Sequence, residues 1–341
     1  MAVGTMKRKA SVVGKIVISI VVLLVITLLW VVKGHEKQTL TNNRIIKIGV
    51  SQTPLSSPFF IAFQQGFFAK HGVNVELIPC MGGVACSQAL FEGQVDYATA
   101  SESVVVFELF KRDDFALLTS FVESDNDLKL LTLESLEIGK LSDLKGKRVG
   151  IVKASASEFY FDSLLIANDL KDMPVEKVYL PAQELNSALF AFEVDAISAW
   201  EPYGYKTEVT ASSDVLNLGL LGIYHLSFNL LSMKETAYSS HDEIVSILLA
   251  LKDANEWISL NTEQSMLIVS KALGIRLHQL KWSWDDYVFR LSLGNALLSN
   301  IQLQARWAID ARLVAGNKPD FRSVLFSKPL EEVLHSEVSI K

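Results

Sequence analysis

Histidine and cysteine are scarce in this 341-residue chain, with six of the first and two of the second. His35, His71, His225, His241, His278 and His335 are scattered without metal-ligand spacing, and Cys80 and Cys86 have no neighbours that would complete a zinc set, so no metal is implied. The acidic run Glu123–Lys129 (ESDNDLK) lacks the glycine and distal glutamate of a calcium loop. There is no Ser-His-Asp elbow, no phosphate-cradling glycine-rich loop and no dinucleotide fingerprint, which argues against catalysis and leaves no cofactor implied. Basic residues are also few where they would matter. Of the 32 Lys and Arg, five lie before residue 34, where no acid occurs, and the other 27 face 38 Asp and Glu. A body so charged repels phosphate backbones, and no basic stripe with interleaved aromatics runs along it, so nucleic acid is not an expected partner.

What is present is apolar. Half of the residues are hydrophobic and 21% are charged, which excludes global disorder, and the length allows about two domains. Ile16–Val32 is an uncharged run of seventeen residues, just long enough to cross a bilayer. Lys7, Arg8, Lys9 and Lys15 precede it and only Lys33 follows closely, which places residues 1–15 in the cytoplasm and the body outside. A cleaved signal peptide is the competing reading. Its apolar core is usually shorter and ends in small residues, whereas this run ends in Leu28-Leu29-Trp30-Val31-Val32, so residues 16–32 read as an uncleaved single-pass inner-membrane anchor followed by a tether over residues 33–44. Outside the cytoplasm Cys80 and Cys86 are free to bridge; a pair of small buried thiols is the alternative.

One pattern recurs in the body: a β-branched apolar run, a cluster of small or polar residues, then an amphipathic stretch. It appears at Ile45–Val50, Val73–Ile78, Asp96–Ala100, Arg148–Val152 and Asp195–Ala199. Such alternation predicts an α/β fold with mainly parallel sheets. The strand ends and helix starts of such sheets share one crevice, which is where a ligand site is expected. Asp242–Ser259 has the spacing of an amphipathic scaffold helix.

Several phrases, taken in order, resemble the nitrate/sulfonate/taurine-type periplasmic binding proteins, a branch of the type II binding-protein fold that includes thiamine-precursor binders. They are QQGFFAKHGVNVEL (64–77), SQALFEGQVDYATA (87–100), LSDLKGKRVGIVKASAS (141–157), VDAISAWEPY (194–203), the long segment 241–275, and the tail pieces 303–310 and 320–340. The resemblance implies two lobes joined by two crossing segments and closing on one small molecule, with delivery to an ABC permease and ATPase. On this chain lobe 1 is expected over residues 45–125 and 231–341 and lobe 2 over 126–230, with crossings at Leu128–Leu133 and Phe228–Met233.

Candidate ligand contacts sit at the junctions. Ser51, Gln52 and Thr53 follow the first strand, and Ser57 suits the cap of a helix starting near Pro58. Gly82 and Gly83 permit close backbone approach. Ser101 and Glu102 stand at the third junction and Ser155, Ser157 and Glu158 at the fourth, where capping and dipole complementation are the plainer roles. Trp200, Glu201 and Tyr203 match the family's Trp-acid-Pro signature, and an aromatic face beside a carboxylate suits an amine or a planar ring. Tyr224 and His225 are weaker candidates.

Two departures from the family stand out, because Lys153-Ala154-Ser155 replaces Lys-Gly-Ser and Glu158 stands where relatives carry a neutral or basic residue. With Glu102 and Glu201 this tilts the expected pocket towards amine-bearing or heterocyclic ligands over nitrate. A membrane-anchored sensor acting through a partner is the rival reading, although about fifteen cytoplasmic residues are too few for an output domain. A thiamine-pyrimidine synthase-like enzyme is the other, and its metal-binding cluster is missing from the sequence.

Overall fold

The computed structural model describes residues 44–316 and 319–335. The basic segment, the anchor and the tether up to residue 43 lie outside the described residues, among which no helix is long and apolar enough to cross a membrane.

In chain order β1 (Ile45–Ser51), β2 (Asn74–Cys80), β3 (Tyr97–Ser101) and β4 (Phe115–Ser124) enter a first sheet, and β5 (Leu128–Leu133), β6 (Arg148–Ile151), β7 (Glu176–Tyr179), β8 (Ala196–Trp200) and β9 (Val215–Asn217) form a second. The chain then returns through β10 (Leu226–Met233) and β11 (Tyr287–Ser292) to complete the first, whose order is β11-β4-β10-β3-β1-β2. The second runs β7-β6-β8-β5-β9. All five sequence-predicted strands are present as β1, β2, β3, β6 and β8, and each leads into a helix: Ser57–Gln64, Gly83–Phe91, Glu102–Leu109, Ala156–Ala167 and Tyr203–Thr210.

The sheets are mixed, not mainly parallel. β1 pairs parallel with β2 and β3, and β6 with β7 and β8. β10 is antiparallel to β3 and β4, β11 to β4, and β5 to β8 and β9. β1 to β3 and β6 to β8 are joined through helices and pair parallel, whereas β5 and β10 arrive by direct passage from the other sheet and run back. The two expected crossings also move. Leu128–Leu133 lies wholly in the second sheet and Phe228–Met233 wholly in the first, so the chain changes sheet at residues 125–127 and 218–225.

β3, β4 and β8 are buried along their whole length because helices cover both faces. Phe121 on β4 is fully buried, with its ring edge-on to Phe59 at 4.9 Å and to Phe228 at 6.0 Å, tying the helix Ser57–Gln64 to the sheet centre. Asp242–Ser259 falls within a helix spanning His241–Leu260, which packs against Ser57–Gln64. Both cysteines are free and buried, Cys80 closing β2 and Cys86 in the following helix. Truncating Phe121 to Ala should cost about 3–5 kcal/mol by urea denaturation, because a closed aromatic cluster leaves a cavity that cannot collapse.

Candidate functional site

The strand ends converge between the sheets. β1, β2 and β3 contribute from one lobe and β6 and β8 from the other, around about 440 Å³ of space. Seven of the fifteen residues singled out from sequence line it: Ser51, Thr53, Gly82, Gly83, Ser101, Ser155 and Trp200. Trp200 is 9% exposed, and a Cβ on Gly82, whose φ is +93°, would sit 3.2 Å from its Cζ2, so these two residues face each other across the cleft. Gly83 has a different duty. A Cβ there would meet Ala100 Cα at 2.9 Å, so this glycine lets its helix pack on β3. The hydroxyls of Ser51 and Thr53 are buried without a hydrogen-bond partner.

The other eight lie outside the cavity wall. Gln52 donates to Val50 O at 3.3 Å and borders a surface groove with Phe60 and Glu76. Glu102 is buried within lobe 1, where Oε2 accepts from Ser227 N and Oγ and Oε1 from Asn300 and Gln304. Ser157 donates to Ser198 O at 2.7 Å. Glu158 accepts from Ala154 N at 2.9 Å and Tyr179 Oη at 2.6 Å. Glu201 accepts from Tyr205 N at 3.0 Å and turns its other oxygen towards Gly204. Tyr203 stands edge-on to Trp200 at 6.2 Å. Tyr224 is buried, its hydroxyl 3.2 Å from Ser103 Oγ and its ring edge-on to Phe159. His225 is mostly exposed and lies 3.3 Å from Glu123. Ser51, Ser101 and Trp200, which end β1, β3 and β8, face the cleft, whereas Glu102, Ser157 and Glu158 in the helices that follow turn back into their own lobe. The acidic tilt expected from Glu102, Glu158 and Glu201 is therefore not carried by the wall.

Capping splits the same way. Ser155 accepts from Ser157 N at 3.2 Å and so caps its helix while lining the cavity. Ser57 is instead the first helical residue and donates to Pro54 O. Ala154 has φ +54°, a left-handed conformation better suited to glycine, and the Glu158 carboxylate accepts from its N–H.

Sequence reasoning missed Asp127. It falls in the first crossing, is 1% exposed, lines the cavity, accepts from Tyr287 Oη at 2.9 Å through Oδ1, and has no partner for Oδ2. Its signal was visible as an acid between the Asp-Asn pair and the apolar LKLLTL run, a position where water is scarce. Burial, reinforced by the negative charge of Glu201, pushes its carboxyl up to about 8. Burial also lifts Glu201 and Glu102 to about 7, the latter against the pull of its hydrogen-bond donors. Both flanks of the cleft are tied across the lobes. Trp307 donates to Asp162 Oδ2 at 3.0 Å and packs edge-on to Phe159 on one side, while Gln279 donates to Pro202 O at 3.0 Å on the other.

A family model described as NMT1/THI5 like matches residues 53–265. The chain belongs to that family. It is 25% identical over 229 residues to the "Putative aliphatic sulfonates-binding protein" of Bacillus subtilis (strain 168), a match covering 66% of this chain and 67% of the relative. A protein of the same name from Escherichia coli (strain K12) is 23% identical over 193 residues, 55% of this chain and 59% of that one. Among solved structures, the alkanesulfonate-binding protein SsuA from Xanthomonas axonopodis pv. citri bound to MOPS superposes with a TM-score of 0.75 at 17% identity, over 82% of this chain and 97% of its own. The periplasmic nitrate-binding protein NrtA from Synechocystis PCC 6803 gives 0.66 at 12% identity, over 87% and 89%. These likenesses establish the two-lobed periplasmic binding protein fold. The desulfurization enzyme DSZB shares it, with a TM-score of 0.64 at 14% identity over 86% and 99%, so the fold by itself does not choose between binding and catalysis.

Two outcomes follow from this geometry. Because the folded protein holds protons on Asp127, Glu201 and Glu102 that an unfolded chain releases near pH ~4, their contribution to stability is complete below that value and is lost as pH rises towards 8. The ligand-free melting temperature should therefore fall between pH 5 and 8.5, and Asp127→Asn should flatten the fall. Ala154→Gly should stabilise by about 0.5–1 kcal/mol in urea melts, by relieving the left-handed backbone.

Proposed function

We propose that this chain is an extracytoplasmic solute-binding protein that captures a small polar molecule, amine-bearing, sulfonate or heterocyclic, between its lobes for an ABC-type importer, without chemical change. The observation that carries this reading is that buried hydroxyls without partners, Ser51 Oγ and Thr53 Oγ1, line the same cavity as Trp200 and Ser155 of the opposite lobe. A buried polar group without a partner costs about 1–3 kcal/mol, and a ligand that supplies the missing hydrogen bonds in the closed state offsets that cost. Contacts to both lobes also give the ligand its differential affinity for closure, which is the only way it can shift the equilibrium between open and closed forms. The name of the Bacillus subtilis relative supports binding over catalysis, and the apolar run before residue 33 supports a body held at the outer face of the inner membrane, next to the permease and ATPase it would serve.

Protein purified without denaturant from its own host should carry a small molecule detectable by native mass spectrometry. Val84→Trp, which places an indole at the cavity wall from a half-buried helical position, should keep the fold by circular dichroism and lose that molecule. An empty wild type, or a variant that retains the molecule equally well, would defeat the proposal.

A further inference from the structure

The cavity wall holds one ionisable group, Asp127, and no Lys, Arg or His. Its carboxyl is 1% exposed and half satisfied: Tyr287 donates to Oδ1, while Oδ2 has no partner. Other charges around it do not complete it. Lys129 is the neighbouring cation, and its ammonium donates to Asn126 O and, at 2.7 Å, to Asn126 Oδ1. The field of that one ammonium is shared among Asp127, Glu201, Glu208 and Asp286. The crossing is therefore rich in carboxyl groups and short of positive charge. Trp200 lines the same wall, and a cation lodged over its ring would gain from the ring quadrupole as well as from the carboxylate.

Resting on the binding role proposed above and narrowing it, we infer that the ligand presents a protonated nitrogen, an amine, amidine or amino-heterocycle, to Asp127 Oδ2. Such a group supplies the hydrogen-bond donor that Oδ2 lacks together with a positive charge, and forms a charge-assisted pair with the carboxylate. A sulfonate or nitrate without a cationic nitrogen brings no N–H donor to Oδ2 and only adds negative charge beside Glu201 and Asp127. Helix starts at Gly83 and Ala156 favour a polar or negative group at the other end of the cavity, so zwitterions remain acceptable and it is the nitrogen that decides.

The test uses primary alkylamines, amidines and 4-aminopyrimidines against n-alkanols and n-alkanesulfonates of matched size, by thermal shift and calorimetry at pH 7.5. Wild type should bind members of the nitrogen set, and Asp127→Asn, which keeps the acceptor for Tyr287, should weaken them at least tenfold while its own melting temperature shows a folded protein. Calorimetry in buffers of different ionisation enthalpy should show proton release on binding to wild type and none in the variant. Alkanesulfonates binding while every nitrogen compound is silent, silence throughout, or a variant within twofold of wild type would each overturn the inference. If the molecule retained from the host lacks a basic nitrogen, the inference falls and the binding role stands.

Discussion

Two sheets that share one ligand space must be joined by segments running beside that space, and here the first joint is only residues 125–127 long. The shortness of this joint fixes much of the rest. β4 and β5 flank it directly, so Asp127 has no room to reach solvent and stays in the wall. Tyr287 at the start of β11 reaches the same carboxyl, and Asp286 receives the Asn126 amide at 2.9 Å. The joint is thus gripped by the last strand of the first sheet, which limits how it can flex.

The lobes are held together by contacts of a kind that can be broken and remade. Edge-on aromatic pairs at about 5 Å and single hydrogen bonds flank the cleft, and each is worth about 1 kcal/mol. Apolar side chains of both lobes also share one continuous buried cluster, Phe107, Phe159 and Trp307 among them. At Gly82, where an added Cβ would meet Trp200 Cζ2 at 3.2 Å, the two lobes approach each other in the cleft itself.

Those parts of the fold that obey local rules were legible in the sequence. The five β–loop–helix units announce themselves through β-branched runs stopped by small residues, and their strand ends line the cavity. β4 was not read, because FALLTSFVES is buried on both faces and shows neither alternation nor punctuation. The direction of β5 and β10 was misread for a related reason. An apolar run says that a strand is buried, not which way it travels, and both runs looked like joints. In the site, chemical type was over-weighted against helical geometry. Glu102, Ser157 and Glu158 have suitable side chains one to three positions past the cavity-lining serines, whereas Asp127 sits in a segment with no pattern at all.

The placement of β10 between β3 and β4 bears on the order in which the molecule assembles. Residues 128–217 contain every strand of the second sheet, so that lobe is a continuous stretch able to collapse by itself. The first sheet has a gap at its middle until a strand arrives from more than a hundred residues downstream of β3. Closing that gap requires long-range pairing, which is slow and leaves strand edges exposed meanwhile. The lobe that begins the chain is therefore the last to be finished, and the segment carrying β10 is the piece whose delay would leave this protein most open to aggregation.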